Sequence, residues 1–416
     1  MASLDPSEIE SMPLAAIDVS DPLLHQRDLA RSYFRRLRRE DPVHYCADSK
    51  FGPYWSVTRY ADILHVDMNH QTYSSDGTVV LDDAFFSGGH IENEVSKTSF
   101  IVMDPPHHGP RRSIVIPALS PGNIQKMEAG IRERTRQLLD SLPIGEEFDW
   151  VSEVSIELTL RMLAILMGFP FEERHKLLYW SNVQSGAPGD GVVESWEHRS
   201  AVMREIAERF TRLLNEKIDA PASADLMSVL AKSPLTQEMR PEEFLGTITL
   251  LMTGGNDTTR NSMSGSILAM HQFPDEFAKL KADPSLVPVA VSEILRWQCP
   301  VSYMRRTATE NSELGGKTIR KGDKVVMWYL SGNRDEGMYE RPEDFIIGRP
   351  NPRQHLTFGF GIHRCLGNRL AELQLRVLWE EILPRFDRIE VTGDPVRIHS
   401  TMFRGFSALP VRLHRS

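Results

Sequence analysis

The sequence predicts a mainly α protein with small β-sheets. Long stretches such as RDLARSYFRRLRRE (27–40) and PGNIQKMEAGIRERTRQLLDSL (121–142) set apolar residues at helical spacing behind charged faces. Strand-like runs are short: PVHYC (42–46), YWSVTR (54–59) and KVVMWYL (324–330). No Gly/Ser-rich or Pro-rich linker, repeat or low-complexity tract divides the 416 residues. One domain over 1–416 is therefore expected, although length alone would suggest two or three.

With 41% hydrophobic and 25% charged residues, the chain has the make-up of a globular protein able to bury a large core. A formal charge of −9 argues against a general nucleic-acid binder. Cys46, Cys299 and Cys365 are widely spaced and odd in number, with no CxxC pair. That argues against a disulfide framework and fits a reducing compartment. The first twenty residues lack the basic start and apolar stretch of a signal peptide, and the longest apolar run, Met162 to Phe169, ends at Pro170. It is far short of the ~20 residues that span a bilayer. The expectation is a cytoplasmic monomer that handles small molecules or protein partners, with no membrane span.

The segment PEEFLGTITLLMTGGNDTTRNSMSGSILAMHQF (241–273) predicts the longest helix. Pro241 suits a first turn and Pro274 ends the pattern, for a length of about 50 Å at 1.5 Å per residue. Its middle, Gly254-Gly255-Asn256-Asp257-Thr258-Thr259, is among the poorest helix-forming stretches in the chain. Two readings stand: a packing kink, or a locally opened helix beside a ligand, with an acid and a hydroxyl released from backbone bonding.

In HLTFGFGIHRCLGNRL (355–370) one cysteine sits among glycines ahead of another helical pattern, Leu366 to Leu383. A lone cysteine is more often an inert small hydrophobe. Three chemistries compete with that reading. A nucleophile would use His363 as base. A zinc site would pair Cys365 with His363, His107 and His108, but the usual spacings are missing. Haem thiolate ligation needs a single anionic cysteine, and glycines at 359, 361 and 367 would let backbone approach a flat macrocycle. A helix N-terminus just after the sulfur favours the thiolate.

The ten residues Phe358-Gly359-Phe360-Gly361-Ile362-His363-Arg364-Cys365-Leu366-Gly367 resemble the haem-binding loop of the cytochromes P450. Three further motifs follow the family's order, so the resemblance covers nearly the whole chain. Glu293 and Arg296 in SEILR match the ExxR pair, and Arg349 in PEDFIIGRP matches the arginine that completes this structural set. Gly254, Gly255, Asp257 and Thr258 match the oxygen-activation stretch, with Asp257 and Thr258 as acid and alcohol. MDPPHHGPRR (103–112) is similar to the DPPxHxxxR segment, which implies His108 and Arg112 near a haem propionate, with Arg306 and His363 as further partners. Two departures occur there: His107 stands where an acid is common, and Pro110 sits inside a segment usually helical.

The resemblance implies a cytochrome P450 fold with a long kinked central helix over the haem. Haem b would be held by the Cys365 thiolate within a loop that includes Phe358, Gly359, His363 and Gly367. The implied reaction is a monooxygenation that uses two electrons and two protons, splits dioxygen and places one oxygen atom in a C–H bond. No GxGxxG dinucleotide motif occurs, GFGIHR failing at Arg364, so electrons must arrive from outside. The implied donor is a ferredoxin served by an NAD(P)H-dependent flavin reductase, with Arg353, Arg364 and Arg369 placed to meet it.

FGPYWSVTR, GGNDTTRNSMSG, YMRR and KGDKVVMWYLSGNRDE further resemble a soluble bacterial subfamily that hydroxylates medium-chain alkanes and fatty acids at the terminal carbon. The implied pocket draws on the loop after Val79, the stretch near 180–195, the central helix and the strand after the ExxR helix. Phe85, Phe86, Phe100, Leu251, Tyr303, Met304 and Met402 are the candidate walls. The alternatives are a hydroxylase of bulkier terpenoids or steroids, and a non-catalytic haem-thiolate sensor.

Overall fold

The computed structural model describes residues 6–82, 98–186, 188 and 191–415. The three expected strands form as Val43–Cys46, Tyr54–Val57 and Lys324–Met327. With Met304–Ala308 and Tyr73–Ser74 they make a five-stranded sheet, in the order Val43–Cys46, Tyr54–Val57, Lys324–Met327, Met304–Ala308, Tyr73–Ser74. Tyr54–Val57 and Lys324–Met327 run parallel, with Trp55 opposite Val325, and the other pairs are antiparallel. Both parallel strands are buried at three of four positions, which is why their sequences read as apolar runs rather than alternating ones. The third run is shorter than predicted. After Trp328 the chain turns helical over Tyr329–Gly332, because the Ser331 and Gly332 N–H groups bond back to the Trp328 carbonyl.

The predicted helix over 27–40 begins later, as Ala30–Glu40. Asp28 interrupts it with φ of 57°, its carboxylate held by Arg31, Arg397 and Arg404. Pro121–Asp140 forms as expected. So does the central helix, Pro241–Gln272, whose 32 residues span about 48 Å at 1.5 Å per residue. Glu243 caps its start by accepting the Arg240 backbone N–H at 2.9 Å. Its second half is buried among the ExxR helix, Val287–Gln298, and the helix after the cysteine, Asn368–Ile382. Its first half packs with Glu157–Met167. The helix therefore crosses the core with one stretch, around Gly254, left to face a cavity.

Candidate functional site

The cysteine loop is shaped by backbone conformations that favour glycine. Gly359 and Gly361 adopt φ of 63° and 65°. A Cβ on Gly361 would lie 2.5 Å from the Asp67 carbonyl oxygen. That glycine is needed for the loop to close on the helix Tyr60–Met68, not to clear a ligand plane as the sequence suggested. The Cys365 N–H donates to the Phe358 carbonyl at 2.8 Å, folding the loop back on itself before Asn368–Ile382 begins. Cys365 is exposed where it lines a cavity. Burial pushes its pKa up, opposed by the N–H groups of Gly367 and Asn368 and by the charges of Arg112 and Arg364.

That cavity holds about 1470 Å³ of empty space, its mouth included. Cys365, Phe358, Gly359, His363, Gly367, Arg112 and Arg306 all line it. So do Gly254, Gly255 and Thr258 from the central helix. A Cβ on Gly254 would meet nothing within 4 Å, whereas one on Gly255 would press Leu163 at 3.2 Å. The first glycine keeps space open above the cavity, and the second lets two helices pack.

The expected opening of the central helix is not a break. The α-helix is continuous through 254–259, and the Thr258 hydroxyl is not free of the backbone: it donates to the Gly254 carbonyl at 2.9 Å. Such back-bonding is the kind of contact that bends a helix without ending it. Asp257 lies behind this wall, buried, with a carboxylate oxygen 2.7 Å from Arg260. Burial raises its pKa and Arg260 opposes the rise. The Asn256 side-chain oxygen Oδ1 and Arg260 Nε are buried without a protein partner.

The ExxR pair is no solvated surface contact. Glu293 accepts from Arg296 at 2.7 and 2.8 Å, from Arg349 at 2.9 Å and from the Ile346 N–H at 2.9 Å, with all three side chains buried. Arg296 also reaches the Asn333, Pro342 and Asp344 carbonyls. This cluster pins the segment that leads into the cysteine loop.

His108 and Arg112 sit on a helix, His108–Val115, that accommodates Pro110 because the first turn needs no N–H there. The His108 ring lies 4.4 Å from that of His363. Burial lowers the His108 pKa; burial and the nearby Arg306 push His363 down to about 2. His108 Nε2 and both ring nitrogens of His363 have no protein partner. Buried polar atoms left open beside two guanidinium groups and a thiol fit a flat macrocycle with anionic side arms. They do not fit zinc: among the described residues no three His, Cys, Asp or Glu side chains gather as a metal cluster.

Of the candidate walls, Phe100, Leu251 and Met304 line the cavity. Tyr303 and Met402 do not. Tyr303 turns into the core, its hydroxyl bonded to the Leu81 N–H at 3.1 Å and its ring 5.0 Å from Trp328. Met402 packs on that same core cluster. Phe85 and Phe86 lie outside the described residues. Among the described residues, the stretch near 180–195 lines nothing, Gln184 instead accepting from Thr253 at 3.0 Å. Met162, Leu163 and Leu166 supply wall the sequence reading missed, although they belong to the longest apolar run in the chain.

A cysteine in a glycine-shaped loop, facing a cavity roofed by a hydroxyl-bearing helix and edged with cations, defines a haem-thiolate protein. The chain belongs to the cytochrome P450 family, whose model, "Cytochrome P450", matches residues 180–413. It is 37% identical over 409 residues to linalool 8-monooxygenase of Pseudomonas putida, covering 95% of this chain and 98% of that one. It is 31% identical over 401 residues to a methyl-branched lipid omega-hydroxylase of Mycobacterium tuberculosis, covering 92% and 91%. Among solved structures it is similar to CYP153D17 from Sphingomonas sp. PAMC 26605, with 46% identity, a TM-score of 0.90 and coverage of 96% and 99%. The protein is thus a cytochrome P450 monooxygenase, a family whose cofactor is haem b with a cysteine thiolate ligand.

Proposed function

We propose that the whole chain forms one P450 domain that hydroxylates medium-chain alkanes or fatty acids at the terminal carbon. The observation that carries this reading is the character of the cavity wall. Phe100, Leu163, Leu250, Leu251 and Met304 are apolar, and the charged lining side chains among the described residues are Arg112 and Arg306. Both arginines are assigned to the cofactor's anionic arms, so the wall offers a substrate hydrocarbon contact. An alkyl chain end fits such a wall better than a polar group. The printed name of the omega-hydroxylase relative supports the same position of attack.

Haem, when bound, supplies the oxygen-activating chemistry. Cys365 is the residue assigned to ligate it, as thiolate. Thr258, which lines the cavity, would hold a proton at its hydroxyl beside the bound cofactor, and Asp257, buried behind it, would resupply that proton past the buried polar atoms of Asn256 and Arg260. Phe100 and the leucines exclude bulk water and orient the chain. Electrons arrive from a ferredoxin and its NAD(P)H-dependent flavin reductase, docking over the exposed Arg353, Arg364 and Arg369. No helix among the described residues is long and apolar enough to cross a membrane; a cytoplasmic monomer is part of the proposal.

A second reading, a bulkier terpenoid substrate, is favoured by the linalool relative. The experiment is a panel of alkanes, fatty acids and terpenoids, read by the haem spectral shift and by product analysis. Mainly primary alcohols from linear chains support the first reading, and binding of bulky rings alone supports the second. The reduced carbon-monoxide complex must show the red-shifted thiolate band, and Cys365→Ala must abolish it.

A further inference from the structure

We propose that Asp67 is a positioning residue for the cofactor site, tying Arg306 and the cysteine loop to one buried carboxylate; the inference rests on the haem-thiolate reading above. Asp67 stands near the end of the helix Tyr60–Met68, and its side chain is 1% exposed. Its Oδ1 accepts from Arg306 Nη2 at 2.8 Å. Its Oδ2 accepts from the Tyr329 hydroxyl at 3.0 Å and from the Phe360 backbone N–H at 2.7 Å. The three donors lie 239, 262 and 293 positions further along the chain, so a single carboxylate joins three distant segments.

Each segment touches the cavity. Arg306, Tyr329 and Gly359 line it, and Phe360 lies five residues before Cys365. A Cβ on Gly359 would come within 3.1 Å of Asp67 Oδ2, so the loop is seated directly on this carboxylate. A buried guanidinium without a counter-charge is strongly unfavourable, and Asp67 supplies it. Arg306 therefore reaches the cofactor edge already oriented, with its charge largely offset. Charge balance around a buried redox centre, together with hydrogen bonds that orient its ligands, sets potential and affinity. Asp67 acts on both without lining the cavity itself.

The charge role and a merely structural role predict different signs. Asp67→Asn removes one negative charge while keeping an acceptor for Arg306. The haem reduction potential should rise by about 59 mV, a tenfold change in the one-electron equilibrium constant. Tyr329→Phe removes a donor and leaves the carboxylate more fully negative, so the potential should fall. Simple loosening of the loop would move both variants the same way. The measurements are spectroelectrochemical titration of the purified holoproteins and the rate of haem transfer to an apo-acceptor, with haem loss faster for Asp67→Asn. Opposite shifts support the role; shifts of one sign, or none, overturn it. If Asp67→Asn yields no holoprotein, the downward shift in Tyr329→Phe carries the test, and its absence overturns the role. Wild-type protein lacking the thiolate band would instead refute the haem-thiolate reading, and with it any role for Asp67 toward the cofactor.

Discussion

Glu293 and Arg349 lie 56 positions apart in the chain and meet at 2.9 Å inside the core. Arg349 also donates to the carbonyls of Glu340, Arg341 and Asp344, so one guanidinium gathers the segment ahead of the cysteine loop. Removing it leaves Glu293 with an uncompensated share of buried charge. Arg349→Ala should cost about 3–5 kcal/mol, the range for breaking a buried ion pair from one side. Denaturant unfolding and the haem-to-protein ratio of purified material measure it. Full haem loading at wild-type stability would refute the structural role.

Thr258→Ala should retain haem and substrate binding but waste electrons. With the hydroxyl gone, product formation per NAD(P)H should fall by about 10²-fold, the low end of what a positioned proton donor contributes, while peroxide or water rises. The readout is the ratio of product to NAD(P)H consumed. Unchanged coupling would take Thr258 out of the proton path.

Much of this was readable from residue order alone, for a physical reason. The cysteine loop and the ExxR pair are local in sequence, and their chemistry demands particular residue types at fixed spacing. Tyr303 shows the opposite case. It neighbours the wall residue Met304 on the sheet side of the site, but alternation along an extended chain sends successive side chains to opposite faces, and only one reaches the cavity. Gly361 and Asp67 are illegible for a different reason. Their contact joins segments nearly three hundred residues apart, and nothing local to either announces it.

Reduction by ferredoxin should slow with added salt. Arg353, Arg364 and Arg369 are exposed around the cysteine loop, and attraction to an acidic partner is screened over about 8–10 Å at 0.10–0.15 M ionic strength. Arg364→Ala should lower the second-order reduction rate and flatten its salt dependence, by stopped-flow measurement. A rate indifferent to both would place docking elsewhere.

His25 should make stability fall on the acid side. Its Nε2 meets the Val19 carbonyl at 2.8 Å, its ring stacks on Trp328 at 5.7 Å, and burial pushes its pKa down to about 4. The folded state thus holds it neutral, while the unfolded chain titrates near 6.5. Its contribution is complete above about pH 6.5 and is lost as pH falls through that value toward 4, by about 3 kcal/mol at most. His25→Gln keeps a donor and cannot charge, so urea midpoints measured from pH 7 to 4 should show a shallower loss. An identical slope in both proteins would exclude His25 as a contributor.

The last expectation concerns where oxygen enters a linear chain. A terminal methyl C–H is harder to break than the neighbouring methylene C–H, so reactivity alone favours subterminal alcohols. The proposed terminal attack requires position to override it. Each 1.36 kcal/mol of barrier difference is tenfold in rate, and near-attack placement supplies several such units when walls present only the chain end. Phe100 and Met304 are wall residues on separate segments, the first before the helix His108–Val115 and the second on the strand Met304–Ala308. Phe100→Ala or Met304→Ala should free the chain to lie sideways and raise the ratio of subterminal to terminal alcohol by about tenfold, the equivalent of one such unit. Gas chromatography of products from a series of chain lengths reads the ratio, and the carbon-monoxide band confirms that haem is retained. Subterminal alcohols from the wild-type protein at every chain length would refute terminal hydroxylation, leaving the monooxygenase itself in place.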